Sequence, residues 1–313
     1  MKIVVVGLGG VGGIVGGRLA SAMADDPEHR VVFWCRGETL KNVRENGLSL
    51  TAQDGTIVVR PSLATCDAAE AGTADVLLFA TKGHQLEKAA QATAPLVAPS
   101  TRVVPLLNGV SALGALEKTL PPCDLLGGCI YVSSHIVSPG AVRQVGAVQR
   151  LIFGKQGISE AENRMRHSDL EQVLKRSGIQ VTLTERIDVE MWAKFLFLSP
   201  LAAATTYYRK SIDEVLDDPA GRGAVIDMIR EAEDLARALG TNLPENIGNL
   251  TLEKARGFAP GTKTSMQLDQ EQGRVTELEF LVGHVCREGR ARGVPAPTYE
   301  TFYEGLKTCC RTS

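Results

Sequence analysis

Short apolar runs and longer helical patterns alternate along the first half of the chain. The helical patterns cover residues 11–24 and 85–94. The apolar runs, rich in Val, Leu and Phe, are residues 2–6, 30–35, 75–81 and 102–107. This alternation is typical of βαβ units that build a parallel sheet. Because Pro105 has no N–H to donate, we expect the last of these strands to end or become irregular there.

The pattern changes after about residue 125. Short alternating runs between 125 and 154 predict antiparallel strands appended to the parallel sheet, followed by a helix over 168–175 and a strand over 180–184. Beyond Glu185 the apolar spacing is helical, over 187–198, 221–239, 246–255 and 274–289. The sequence therefore predicts an α/β domain over residues 1–185 and an all-α C-terminal domain over 186–313.

Composition narrows the class of protein. The chain has 313 residues and a formal net charge of −2, without a basic block, so neither nucleic acid nor a membrane surface is an expected partner. No apolar run is long enough to span a membrane. Seven scattered cysteines suit a reducing compartment. Because seven glycines between Gly7 and Gly17 would weaken the helix of a secretion signal, we expect a cytoplasmic protein.

A glycine-rich motif, G-x-G-x-x-G, lies between the first strand and the first helix. In this motif the glycines permit a tight turn, a close approach of backbone N–H groups to a pyrophosphate, and close packing of helix on strand. The first domain is thus predicted to be a Rossmann-type dinucleotide-binding domain, although a glycine-rich turn without a ligand is the alternative. The predicted cofactor-binding residues of the turn are Gly7, Leu8, Gly9, Gly10, Val11 and Gly12.

The end of the second strand indicates which dinucleotide is bound. NAD-binding folds usually place Asp or Glu there, whereas this chain has Arg36 after Phe33-Trp34-Cys35. Arginine can pair with a 2′-phosphate through two hydrogen bonds, and Lys82, after the 75–81 run, could add a second cation. These residues favour NADPH, although an exposed arginine and an ordinary loop lysine are the alternatives.

Lys194 lies within the apolar run Met191-Trp192-Ala193-Lys194-Phe195-Leu196-Phe197-Leu198. A helix that is apolar on every face is expected to be buried, and a desolvated lysine can protonate a carbonyl oxygen while a hydride is added to the carbon. Three structural interpretations compete with this one: an ion pair with Glu190, a stem that packs while the ammonium reaches solvent, and a surface lysine at a helix end. The residues alone leave the choice open.

Glu277 and Glu279 are the candidate carboxylates, at the edge of an apolar helical stripe formed by Leu278, Leu281, Val282 and Val285. Periodicity hardly separates the two, and a solvated carboxylate is the structural alternative for either. The five histidines show no metal-ligand spacing, so no metal site is predicted. The sequence has no G-x-S-x-G, so serine hydrolase chemistry has no support.

An ordered set of motifs resembles the ketopantoate reductase (2-dehydropantoate 2-reductase) family along nearly the whole chain. The matching segments are GLGGVG at Gly7, the strand-end Arg36, TKGHQ with Lys82, LNGV with Asn108, MWAKF with Lys194, and TSMQLD with Ser265 followed by TELE with Glu277. The resemblance implies an NADPH-dependent reduction of 2-dehydropantoate to pantoate in pantothenate biosynthesis, with hydride transfer to C2.

The resemblance also implies a role for each matching residue. By this resemblance Lys194 is the general acid. The resemblance also selects Glu277 over Glu279 and makes Glu277 a second catalytic residue. Ser265 and Asn108 bind the substrate, Asn108 also lies near the nicotinamide, and Arg36 and Lys82 match contacts to the 2′-phosphate. The helical domain is then the substrate-binding domain. A homodimer remains open.

One departure from the family pattern affects the substrate. Leu198 and Ala202 stand where relatives often carry two asparagines that bind the polar end of the substrate. Either nearby hydroxyl groups, from Ser199, Thr205, Thr206 or Tyr207, replace those hydrogen bonds, or the protein reduces a different, less polar 2-oxo acid. A non-catalytic NADPH-sensing protein is the alternative from another class.

Overall fold

The computed structural model describes residues 1–311, which divide into two compact units. The first unit contains Met1–Leu107 and Ala112–Ile187. The second contains Asn108–Ser111 and the chain from Asp188 onward. The short segment that begins with Asn108 therefore belongs to the second unit, although residues of the first unit precede and follow it.

The first unit combines two sheets with helices. Its strands are β1 (Lys2–Val6), β2 (Arg30–Trp34), β3 (Leu48–Ala52), β4 (Gly55–Val59), β5 (Leu63–Thr65), β6 (Val76–Phe79), β7 (Arg102–Pro105), β8 (Asp124–Leu125), β9 (Gly127–Ser138), β10 (Ala141–Gly154) and β11 (Gln180–Leu183). Its helices are α1 (Gly10–Ala22), α2 (Gly37–Asn46), α3 (Ala68–Ala71), α4 (Leu86–Thr93), α5 (Ala112–Thr119) and α6 (Glu160–Arg176).

The larger sheet has six parallel strands in the order β5-β2-β1-β6-β7-β8. Counted along the chain this is 3-2-1-4-5-6, the order of dinucleotide-binding folds. The side chains of β1 alternate between two buried cores: Ile3 and Val5 pack on one face of the sheet, and Val4 and Val6 on the other. Such burial on both faces explains why the strand is apolar at successive positions. The predicted fold class is confirmed.

The second sheet corrects the expectation that the 125–154 strands are appended to the parallel sheet. β9 and β10 do form an antiparallel pair, but they belong to a separate five-stranded sheet with β3, β4 and β11. In that sheet β10 pairs in parallel with both β3 and β11. β3 and β4 were not predicted. Four of the five residues of β4 are exposed, so that strand shows no buried alternating face, whereas β3 does alternate, with Leu48 and Leu50 buried, and its signal was missed.

The second unit is built from helices. They are α7 (Ile187–Tyr208), α8 (Ile212–Asp217), α9 (Pro219–Ala238), α10 (Ile247–Arg256), α11 (Ser265–Glu271), α12 (Leu278–Arg292) and α13 (Pro297–Lys307). They enclose an apolar core that includes Trp192, Phe195, Met228 and Tyr299. In the described chain, no helix is both long and apolar enough to cross a membrane.

Helix α7 is longer than the 187–198 pattern predicts. It continues through Pro200, which cannot donate the usual backbone hydrogen bond. The helix continues because its second half is buried: Leu201, Ala202, Ala203 and Ala204 are all at most 2% exposed. Tertiary packing of this kind outweighs local propensity.

Candidate active site

The glycine-rich turn joins the end of β1 to the start of α1. The N–H of Gly7 donates to the carbonyl oxygen of Trp34 at 3.0 Å, and the φ of Gly7 is +92°, a value that favours glycine. A Cβ at Gly7 would also lie 2.9 Å from Cγ2 of Thr81. Both the backbone conformation and the close approach therefore require glycine at this position.

Gly12 brings the first helix against the turn. A Cβ at Gly12 would lie 1.9 Å from the carbonyl oxygen of Gly7, so any other residue would push the helix away. The N-cap of α1 is Gly9, which makes no side-chain capping bond. The first N–H groups of a helix lack intrahelical partners and form its positive end. The turn could therefore hold a pyrophosphate.

Leu8 and Val11, the remaining predicted residues of the turn, pack toward the core of the first unit. Their backbone groups are therefore the parts available to a ligand. Gly10 lies close to β9, because a Cβ there would approach Oγ of Ser134 to 2.7 Å. The turn thus fits closely between α1 and its neighbouring strands.

Arg36 and Lys82 lie on either side of this turn. Val6 pairs with Trp34 of β2 on one side and with Phe79 of β6 on the other, so both flanking strands end at the same edge of the sheet. Arg36 is exposed at the N-cap position of α2 and makes no side-chain capping bond, and Lys82 is half-buried before a short 3-10 turn. Two cations beside the glycine turn could hold a phosphate group of a bound dinucleotide.

In the second unit, Lys194 lies on a strip of α7 that stays partly open. Ala193, Lys194, Phe197 and Leu198 are half-buried, whereas Met191, Trp192, Phe195 and Leu196 are buried. The expectation of a helix buried on all faces is therefore wrong for this strip. The apolar residues Phe197 and Leu198, which made the pattern continuous, share the accessible face with the lysine.

Asn108 connects the lysine to a carboxylate. Nζ of Lys194 donates to Oδ1 of Asn108 at 3.1 Å, and Nδ2 of Asn108 donates to Oε2 of Glu277 at 3.4 Å. Both ends of the amide are thereby used, which fixes its orientation. The structure thus brings together three of the predicted site residues, from segments far apart in the sequence.

The structure separates the two candidate glutamates. Glu277 is 5% exposed and occupies the N-cap position of α12. The side chain of Glu279 is 38% exposed and pairs with Arg287 at 2.6 Å and with the Tyr303 hydroxyl at 2.7 Å. Glu277 faces Asn108 because it lies just before the helix begins, whereas Glu279 lies on the outer side of the first turn.

Ser265 is not brought into this group. It is exposed at the first position of α11 and, within residues 1–311, makes no hydrogen bond to Lys194, Asn108 or Glu277. Its position is nonetheless set by α7, because the hydroxyls of Thr205 and Thr264 lie 2.8 Å apart. Thr264 also caps α11 by accepting from the N–H of Gln267. This anchor was not predicted, although the T-S-M-Q capping pattern was a signal for it.

Two hydroxyls suggested as replacements for the missing amides are already engaged. Ser199 is fully buried, accepts from the Tyr299 hydroxyl at 2.9 Å and donates to the Leu281 carbonyl oxygen at 3.1 Å. Thr205 is also fully buried and donates to the Leu201 carbonyl oxygen as well as contacting Thr264. Burial makes both unsuitable for contacting a substrate.

The other two are no better supported as replacements. Thr206 is fully buried. Tyr207 is 42% exposed, and its ring packs against Tyr208 and Phe302.

Models of a known protein family match most of both units of the chain. The family model described as ketopantoate reductase PanE/ApbA matches residues 3–157, and the model of its C-terminal part matches residues 186–309. An uncharacterized oxidoreductase, YkpB of Bacillus subtilis, is 27% identical over 98% of each chain. A 2-dehydropantoate 2-reductase of Mesorhizobium japonicum is 29% identical over 96% of this chain and 95% of its own.

Solved structures of related proteins have the same fold as this chain. A PanE/ApbA family ketopantoate reductase from Ralstonia eutropha aligns with a TM-score of 0.86 at 25% identity, covering 99% of this chain and 98% of its own. D-mandelate dehydrogenase, solved with NADH and anilino(oxo)acetate, aligns with a TM-score of 0.85 over 98% of each chain, but at 20% identity it supports the fold alone. The two family models together cover most of the chain in the expected order, and the chain belongs to the ketopantoate reductase PanE/ApbA family of oxidoreductases.

Proposed function

We propose that the protein reduces a 2-oxo acid to the 2-hydroxy acid with NADPH. The reference substrate is 2-dehydropantoate, because the relative from Mesorhizobium japonicum is named 2-dehydropantoate 2-reductase. The observation that carries the proposal is the hydrogen-bonded set of Lys194, Asn108 and Glu277 in a chain of this family. Bound NADPH supplies the hydride that is added to C2. The chain itself must supply the proton and hold the substrate.

Lys194 is proposed as the general acid. Its ammonium donates a proton to the carbonyl oxygen as the C2–H bond forms, and the neutral amine then regains a proton from solvent. The half-buried position supports this role, since the side chain is partly shielded from water but still accessible. The bond to Asn108 supports it further, because it restricts where the ammonium points.

Glu277 and Asn108 are proposed to fix the substrate beside the lysine. A carboxylate that is 5% exposed is costly to bury without polar partners, and Asn108 provides one. Glu277 accepts from Asn108 and so fixes the amide, and Asn108 keeps the lysine and the carboxylate in one hydrogen-bonded set at the position proposed for the substrate. Ser265 is proposed to complete the contacts from the start of α11.

The glycine turn, Arg36 and Lys82 are proposed to bind NADPH. The N–H groups at the start of α1 would hold the pyrophosphate, and the two cations the 2′-phosphate. Arg36→Asp should weaken NADPH binding about 10- to 100-fold, since charged hydrogen bonds are worth roughly 1.5–3 kcal/mol. NADH binding should change far less.

Arg30 offers a matched control, because it is exposed at the other end of β2. Arg30→Asp should leave both affinities unchanged in a fluorescence titration. An equal loss of NADPH and NADH binding in Arg36→Asp would remove the 2′-phosphate contact from the proposal.

The test of the activity is NADPH oxidation by the purified protein with 2-dehydropantoate and a panel of other 2-oxo acids. Turnover of 2-dehydropantoate is expected, and turnover of other acids alone would change the substrate assignment. NADPH binding without turnover of any 2-oxo acid would reject the enzyme and favour an NADPH-sensing protein instead.

A further inference from the structure

The accessible strip of α7 continues beyond Lys194 with carbon rather than with polar groups. Phe197 and Leu198 follow the lysine by three and four residues, so they share its face of the helix. Both are half-buried, like Lys194 itself. Side chains on a helix lean toward its N-terminus, so these two cover the surface over the turn that carries Lys194. The ammonium is therefore bordered by apolar side chains on the C-terminal side.

A second aromatic ring extends this apolar border. Phe258, which follows α10, stacks on Phe197 with ring centres 5.4 Å apart and an angle of 20° between the rings. Phe258 is nevertheless 41% exposed, so part of its ring remains accessible. The ammonium of Lys254 lies 5.1 Å from the centre of the Phe197 ring and helps to hold it. We call Phe197, Leu198 and Phe258 the apolar wall.

The polar groups next in sequence to the apolar wall are turned away from its accessible side. Ser199 is fully buried and bonded to Tyr299 and Leu281, and Ala202 is 1% exposed and has no polar side-chain atom. The three side chains of the wall themselves therefore present only carbon atoms to a ligand hydroxyl placed against them. Burying a hydroxyl without a hydrogen-bond partner is unfavourable.

We propose that the apolar wall contacts the substituent on C3 of the substrate, and that the preferred substrates are 2-oxo acids whose C3 substituents are branched aliphatic or aromatic and carry no hydroxyl. This inference rests on the proposed reduction of a 2-oxo acid beside Lys194 and names the substrate class of that site. It predicts a preference against the reference substrate, whose C3 substituents include a hydroxymethyl group.

A pair of substrates that differ by one hydroxyl provides the test. 2-Dehydropantoate is 4-hydroxy-3,3-dimethyl-2-oxobutanoate, and 3,3-dimethyl-2-oxobutanoate has hydrogen in place of its hydroxyl. The value of kcat/KM on the unmodified protein should favour the acid without the hydroxyl by about tenfold or more. Equal values, or a preference for the hydroxylated acid, would overturn the proposal.

Two variants test whether the apolar wall causes this substrate preference. Leu198→Asn places a hydrogen-bonding amide on it, and Phe258→Ser removes an aromatic ring and adds a hydroxyl. Each should lower the ratio of the two kcat/KM values by about tenfold, toward the hydroxylated acid. Leu239→Asn is the matched control, since Leu239 is 37% exposed at the end of α9, and it should leave the ratio unchanged.

The ratio is measured on one preparation, so partial misfolding of a variant cancels. An unchanged ratio in both wall variants would overturn the assignment to these residues. Reduction of both acids with a preference for the hydroxylated one rejects the wall proposal and leaves the proposed function standing. Reduction of neither acid, nor of any other 2-oxo acid, rejects the proposed function and the wall proposal with it.

Discussion

The glycine turn and the Lys194 site are built in opposite ways. The turn consists of six consecutive residues, and the parts it offers to a ligand are backbone groups held by β1 and α1. The Lys194 site consists of side chains, and its two hydrogen bonds join residues 86 and 169 positions apart. A turn of this kind is specified locally, whereas the side-chain site exists only when distant helices pack correctly.

This difference indicates how each region should respond to mutation. In the turn, the addition of one carbon atom should disrupt cofactor binding or folding, because the backbone has no room to move. In the helical unit, a substitution acts through the chemistry of the side chain or through the packing of its helix. Predictions for the two regions therefore need different readouts.

Gly12→Ala should have the largest effect. Its Cβ would lie 1.9 Å from the carbonyl oxygen of Gly7, so the turn or the helix must shift. We expect NADPH affinity to fall by at least about 100-fold, roughly 2.7 kcal/mol, or the first unit to unfold. Gly114→Ala is the control, because a Cβ at this glycine of α5 meets no atom within 4 Å. Unchanged NADPH affinity in a stable Gly12→Ala protein would refute the close-packed turn.

Acid should destabilise the helical unit through His284, which lies on α12 with its ring edge-on to Phe195. Burial lowers the pKa of His284 to about 4 from an ordinary value of 6.5. Between these values the unfolded chain binds the proton and the folded chain does not, so the free energy of unfolding falls as pH decreases. The loss is about 2 kcal/mol at pH 5.

His284→Gln removes this titration, so the variant should lose correspondingly less stability than the unmodified protein between pH 6.5 and 4.5. His135→Gln, at an exposed position of β9, should behave like the unmodified protein. Urea unfolding followed by circular dichroism measures all three. Identical pH dependence in His284→Gln and the unmodified protein would show that His284 does not carry the effect.

The smallest expected effect distinguishes Glu277 from Glu279. Glu277→Gln should lower kcat/KM for the best 2-oxo acid by about tenfold, or 1.4 kcal/mol, because a charged acceptor next to Asn108 is lost. Glu279→Gln should change it less than about twofold, since this residue makes an exposed pair with Arg287. Similar losses in both variants would contradict the distinction.

The same contrast explains what the sequence could predict. The strands of the parallel sheet and the glycine turn follow from short-range patterns, and β7 ends at Pro105 as expected. β4 did not follow, because an exposed edge strand carries little apolar signal. The length of α7 did not follow either, because Pro200 is tolerated only when the helix is packed.

The limit of prediction from the sequence is clearest at the Lys194 site. Periodicity hardly separated Glu277 from Glu279, because both lie at the edge of the apolar stripe, but the helix begins after Glu277, which changes the direction of its side chain. The contact of Asn108 with Lys194 and Glu277 could not be derived from spacing, because its segment joins the second unit from within the sequence of the first. The family resemblance named these residues, and the structure adds the hydrogen bonds between them.

The central claim is that Lys194 supplies the proton during hydride transfer, and a single-turnover measurement tests it most directly. Protein saturated with NADPH is mixed with the best 2-oxo acid, and the loss of NADPH absorbance is followed for the unmodified chain and for Lys194→Ala. The account predicts that hydride transfer slows by about 100-fold or more, while the Kd for NADPH changes less than about threefold. An unchanged rate constant in Lys194→Ala, or a loss explained wholly by weaker NADPH binding, would contradict it.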